Sequence, residues 1–178
     1  MDLENLLAEK RSGIIKKWFA LIADTYSVEM SKFMKKKKNR FADPVGYTAS
    51  TQIEAIFDAL HRQAEPDELS ACLDKIIRIR AVQDFSPSAA LDFIFLLKQV
   101  IRAELDEEVQ DKRISEELLE LESRIDDLAL LAFDVYMSCR EKVHKIKIKE
   151  LQMNRLDLIT GHGPRRGTMS KKPGAGGS

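Results

Sequence analysis

At 178 residues, 44% hydrophobic and 33% charged, the chain can bury a core and is too apolar to be disordered throughout. Its 29 basic and 29 acidic residues cancel, which excludes a generic polyanion binder, and 8 Gly with 5 Pro supply too few turns for a sandwich or barrel. What remains is an all-α chain of few, long helices.

The opening residues are acidic and amphipathic, not basic and then apolar, so no secretory leader is expected. Leu3, Leu6, Leu7, Ile14, Ile15, Trp18, Phe19 and Ile22 recur at helical spacing and predict a helix from Leu3 to Thr25, bent near Gly13. A short helix over Ser27–Lys36 follows and runs into Lys35, Lys36, Lys37 and Lys38. That run is a candidate contact for an anionic partner, beside its plainer role as a solvated charge cluster.

Asp43-Pro44 is a helix start. Asp43 can accept from free amides, and Pro44 loses no hydrogen bond at the first helical position. The helix is expected to reach about Gln63, and the next, opened by Glu65-Pro66, to reach about Val82. Ser86-Pro87 repeats the start signal for a helix ending near Glu108, which is apolar on more than one side and so expected to be the most buried. Two arginines, Arg78 and Arg80, precede this corner. With Asp84, Ser86 and Pro87 they form a candidate structural motif in which Arg80 bridges the carbonyl end of one helix and Asp84.

Residues 104–127 hold eleven acids against three bases, with paired carboxylates such as Glu116-Glu117 reading as a solvated face. A last helix is predicted over Ser115–Arg155, roughly 60 Å long at about 1.5 Å per residue. Leu118, Leu121, Ile125, Leu128, Ala132, Val135 and Cys139 step along it by threes and fours. Leu118, Leu121, Ile125, Leu128 and Val135 are thus candidate dimer contacts, the rival reading being that the stripe packs inside its own bundle. Residues 140–155 are basic, six bases to two acids. The remainder, 158–178, is Gly-rich and basic, with Arg165 and Arg166 as further candidate contacts for an anionic partner; it is expected to be a disordered tail after a helical domain over 1–157.

Little in the chain supports catalysis. His61, His144 and His162 lie apart. Glu141 and His144 make one ExxH, without the second copy that a di-iron bundle needs. Cys72 and Cys139 lack a CxxC partner and are expected to be reduced thiols. The expectation is therefore no enzyme, no metal and no cofactor. Nucleic acid is not an expected partner, since no basic stripe is interleaved with aromatics. The most apolar runs fall short of the about 20 residues that span a bilayer, so a cytoplasmic protein is expected, reaching a membrane only through a partner.

The stretch IIRIRAVQDFSPSAALDFIFLLKQVIRAEL resembles the N-terminal domain of RsbT co-antagonist proteins of the RsbRD type. LLAEKRSGIIKKWFALIADTY, KNRFADPVGYT and LLELESRIDDLALLAFDVYMSCREKV extend the resemblance over about residues 3–150. It implies a globin-like helical sensor without haem, commonly dimeric, which in stress-signalling relatives stands ahead of a STAS output domain. Only about twenty residues follow the long helix here, so direct control of a switch kinase is not expected. The stand-alone form is similar to a small protein of sulfur-metabolising bacteria associated with the dissimilatory sulfite reductase system and its membrane electron-transfer complex. The resemblance thus implies a regulatory or accessory protein with membrane redox subunits as partners. The alternatives are a stress-signalling module acting on a STAS or kinase partner, and a ligand sensor with a cavity between the Pro44 and Pro87 helices.

Overall fold

The computed structural model describes residues 2–36, 41–83 and 85–160, with the side chains of 157, 158 and 160 left aside. It is all-α, as the composition requires. Six helices follow in order: α1 (Leu3–Asp24), α2 (Val28–Lys36), α3 (Pro44–His61), α4 (Pro66–Val82), α5 (Pro87–Glu104) and α6 (Lys112–Thr160), with a 3₁₀ turn at Glu108–Gln110. The chain divides into two compact units, Met1–Glu141 and Lys142–Ser178. The expected domain boundary at 157 falls within α6, and the expected tail lies outside the described residues apart from the last turn of that helix.

The first unit is organised around α1, which packs against α2, α3 and α5, while α4 packs against α3 and α5. One continuous core runs through it, with Trp18, Phe93, Ile14, Ile53, Ile77 and Leu97 fully buried. The indole Nε1 of Trp18 donates to the Phe93 carbonyl at 2.6 Å, so the largest side chain enters the core with its one polar atom satisfied. Helix α5 is not the most buried element. It buries seven of its 18 residues against nine of 18 in α3, and its Phe95 faces solvent.

The helix starts at Asp43-Pro44 and Ser86-Pro87 are where the sequence put them. Asp43 accepts from the Gly46 amide at 2.8 Å and Ser86 from the Ala89 amide at 3.3 Å, each with proline in the first turn. Helix ends differ from expectation by up to a turn, for visible reasons. Helix α3 stops at His61 because Gln63 takes a left-handed conformation, φ 53°. Ala64 N–H then closes on the Ala59 carbonyl and Gln63 N–H on the Leu60 carbonyl. Helix α5 stops at Glu104, where the buried Leu105 turns the chain inward. Helix α6 starts a turn before Ser115, because the Asp111 carboxylate accepts from the amides of Arg113 and Ile114.

Two glycines have different meanings. Helix α1 runs unbroken through Gly13, from Leu3 to Asp24; a methyl there would stand 3.5 Å from Glu104 Oε2, an ordinary contact. At Gly46 a methyl would fall 2.0 Å from Asp43 Oδ2, inside the cap itself. Gly13→Ala is therefore expected to stabilise the protein by up to about 1 kcal/mol through helix propensity. Gly46→Ala should cost about 1–2 kcal/mol by displacing the cap. Urea unfolding of the two variants side by side checks both signs.

Candidate functional site

The corner singled out by sequence, residues 78–87, is a junction of three helices built on Arg80. This arginine is fully buried. Its Nη1 donates to the Ala89 carbonyl at 2.8 Å and to Asp92 Oδ1 at 3.0 Å, and its Nη2 donates to Thr25 Oγ1 at 2.8 Å. Thr25 is the C-cap residue of α1, and its hydroxyl in turn donates to Ile22 O. One guanidinium thus ties the end of α1, the last turn of α4 and the first turns of α5. It lies 5.0–5.3 Å from the ring centroids of Tyr26, Phe85 and Phe93, an aromatic cage that offsets part of the cost of taking the cation out of water.

The expected partner Asp84 lies outside the described residues. Among the described residues Arg80 reaches forward into α5 and back to α1. Arg78, on the opposite side of α4, is exposed and pairs with Asp74 one turn back at 2.7 Å. Tyr136 of α6 completes the corner by donating to the Phe85 carbonyl at 3.0 Å.

Helix α6 answers the other main expectation. Leu118, Leu121, Ile125 and Leu128 are 2, 2, 0 and 2% exposed, and Val135 packs against the same core. Leu118, Leu121, Ile125 and Leu128 face the interior of their own bundle, the rival reading of the stripe, with Val135 half-buried beside them. Alongside the inward stripe, its polar residues bind the ends of the other helices. The Glu117 carboxylate accepts from the Leu3 amide at 2.8 Å, in the first turn of α1. Arg124 donates to the Leu60 carbonyl at the end of α3 and Arg140 to the Ala81 carbonyl at the end of α4. Glu122 holds Arg102 through two hydrogen bonds, and Asp126 holds Lys98 at 2.6 Å. The acidic stretch is therefore not simply a solvated face. Several of its carboxylates clamp α6 onto α1 and α5.

On its solvent side the same helix carries Leu130, Phe133 and Met137, 69, 47 and 43% exposed, next to Phe95 of α5 at 47%. Composition and the first stripe drew attention away from this second set, although its steps of three and four are visible in the sequence. In the second unit Ile146, Ile148, Leu151, Met153, Leu156 and Ile159 are all exposed.

The basic run resolves only in part. Lys35 pairs with Asp24 at 2.5 Å, and that hydrogen bond, helped by Ser31, holds the Asp24 carboxyl below the usual carboxylate range. Lys36 is exposed. Lys37, Lys38, Arg165 and Arg166 lie outside the described residues.

The space between the Pro44 and Pro87 helices is closed. The cavity lined by Leu7, Phe57, Leu60, Leu97, Ile101 and Leu121 has a volume of about 10 Å³, at the limit for one water molecule. That space is too small for an organic ligand. His61 borders it and stands 3.9 Å from Glu4. Among the described residues no three His, Cys, Asp or Glu are grouped to hold a metal ion. No helix there is long and apolar enough to cross a membrane. Cys72 and Cys139 form no disulfide, and burial pushes the Cys72 thiol up.

The family described as "RsbT co-antagonist protein rsbRD N-terminal domain" matches residues 12–150 of the chain. An uncharacterized protein of Archaeoglobus fulgidus is 29% identical over 84 residues, covering 47% of this chain and 52% of that relative. The match thus spans about half the length of that relative. No solved structure matches.

Two outcomes follow from this geometry. Arg80→Met should cost about 2–4 kcal/mol, because Thr25 and the Ala89 carbonyl lose a buried donor; Arg78→Met should change stability by less than about 0.5 kcal/mol. Chemical denaturation separates the two. The second concerns pH. Arg11 donates two hydrogen bonds to Asp58 and holds its carboxyl below the usual range, and the Leu3 amide, with Arg113, does the same for Glu117. A carboxylate whose folded value is depressed stabilises the fold above its unfolded value and loses that contribution as pH falls through the lower folded one. The melting temperature should be flat above about pH 5 and fall below about pH 4. In Asp58→Asn that acid fall should be shallower.

Proposed function

The chain belongs to the RsbT co-antagonist protein rsbRD N-terminal domain family, and from that premise we propose that it is a regulatory protein acting through protein–protein contacts. The observation that carries this reading is the family match over residues 12–150. The distribution of chemistry supports it. Buried polar groups serve the junctions between helices, while large apolar side chains stand in solvent on α5 and α6. A protein whose reactive-looking residues are structural and whose apolar residues are displayed is suited to dock.

The finer reading is that the protein is a cytoplasmic homodimer. Its partner is of one of two kinds: a STAS or kinase protein of a stress-signalling assembly, or subunits of a membrane redox complex to which it is an accessory. The family description, a co-antagonist of RsbT, favours the first. The likeness of the stand-alone form to a protein accompanying the sulfite reductase membrane complex favours the second.

Affinity capture of the full chain from its native cells, with quantitative mass spectrometry, separates these. Enrichment of a STAS or kinase protein supports the signalling partner; enrichment of membrane redox subunits supports the accessory role. A chain that enriches neither over a control carrying the same tag contradicts both. In light scattering at tens of micromolar the pure protein is expected at twice its chain mass.

A further inference from the structure

Arg124 is a cation that the fold uses only in part. Arg11, Arg62, Arg78, Arg80, Arg102 and Arg113 each pair with a carboxylate. Arg124 is half-buried and makes one hydrogen bond, from Nη1 to the Leu60 carbonyl at 3.1 Å, with no carboxylate of the described residues at pairing distance. Asp127, one turn on, is exposed and likewise has no ion pair or side-chain hydrogen bond among the described residues. An arginine and an aspartate three apart on a helix are neighbours that can pair. Here they do not, and both line the same cleft.

The cleft lies between α6 and the turn that joins α3 to α4, wholly within the first unit. Its volume is about 300 Å³, at the lower end of small-molecule sites, which run from roughly 300 to 1,000 Å³. The walls are aliphatic: Leu60, Ala64, Pro66, Leu69, Leu128 and Leu131. Gln63 stands at the edge with its left-handed backbone, φ 53°, a conformation that costs a residue with a side chain and that gathers at ligand clamps. Its amide adds a donor and an acceptor to the rim.

Charge around the cleft selects the class of occupant. On the far side of Arg124 a space of about 150 Å³ is lined by Glu4, Glu120 and Glu117, the last already held by Leu3 and Arg113. A simple anion on Arg124 would face these acids and Asp127 as well. A simple cation at Asp127 would sit beside Arg124. A molecule that carries both charges close together meets each group with its opposite.

We infer that this cleft binds a small zwitterion with an aliphatic body, the chemistry of a free aliphatic amino acid. Arg124 takes the carboxylate, Asp127 takes the ammonium group, and the aliphatic walls take the side chain. The site is separate from the closed space between the Pro44 and Pro87 helices, and it does not depend on which protein the chain meets.

The test titrates the full chain, labelled with nitrogen-15, with L-leucine, L-isoleucine and L-methionine, following backbone amide shifts. At least one is expected to bind in the millimolar range or tighter and to move amides of residues 59–69 and 124–131. Its analogues lacking one charge should each bind about tenfold or more weakly, since each forfeits a charge-assisted hydrogen bond. For leucine these are 4-methylpentanoate, without the ammonium group, and 3-methylbutylamine, without the carboxylate. Asp127→Asn changes a side chain already in water. It should weaken the amino acid by about tenfold and leave the analogue without the ammonium group as it was. Ala64→Leu should fill the cleft and abolish binding with the circular dichroism spectrum unchanged. No shift with any of the three at millimolar concentration overturns the site, and so does a response confined to other residues. An analogue without the ammonium group that binds as tightly as its amino acid overturns the zwitterion, as does undiminished binding in Asp127→Asn. Binding that survives in a folded Ala64→Leu overturns the cleft.

Discussion

The fold depends on one buried cation. Arg80 lies where the end of α1, the end of α4 and the start of α5 meet, and it is the group that all three share. A guanidinium suits this task because it is planar and donates in several fixed directions, so one side chain can satisfy acceptors on separate helices at once. Its charge is tolerated there for two reasons. Three aromatic faces surround it, and its carboxylate partner Asp92 is 41% exposed, so the counter-charge keeps part of its hydration. The arrangement avoids the heaviest cost of a buried ion pair, which is the desolvation of both members.

The same economy governs the rest of the bundle. Helix ends leave amides and carbonyls without intrahelical partners, and each end carries a partial charge of known sign. Cations stand at three C-terminal ends: Arg124 on α3, Arg140 on α4 and Lys10 on α5, where its Nζ donates to the Glu104 carbonyl at 2.6 Å. An anion, Glu117, stands at the N-terminal end of α1. Three of these four residues come from α6. Within the first unit that helix is a strap. Its apolar stripe closes the core and its charged residues finish the helices beneath it. The run of acids and bases that in sequence resembles surface filler is in good part the cement between elements.

This explains which parts of the molecule were legible in the sequence. Helix starts were readable, since Asp43-Pro44 and Ser86-Pro87 act on amides only three residues away. The importance of Arg80 was readable as well, from a basic residue placed between an apolar helix and a capped start. Its acceptors were not, because Thr25 is 55 positions away and is brought near only by the packing of α1. Glu117 and Leu3, 114 positions apart, are the extreme case. Periodicity misled in a different way. A stripe such as Leu118, Leu121, Ile125 and Leu128 states that one side of a helix is covered and says nothing of what covers it. The core of the protomer and the face of a partner produce the same pattern. The stripe was thus legible as a covered side of α6, and what covers it, here the core of its own bundle, was not.

Within the first unit the two sides of α6 differ: one closes the core and the other stands in water. The inward stripe is tied to Arg80's corner through the core and through Tyr136, so changes there act on folding. The outward residues Leu130, Phe133 and Met137 are held in place by a helix that the inward stripe has already fixed, and they stand in water in the protomer. A helix pinned in this way presents its outer face at little further entropic cost, since the backbone is ordered before any partner arrives. Such a division lets sequence change on the outer side of α6 proceed while the bundle beneath it stays as it is.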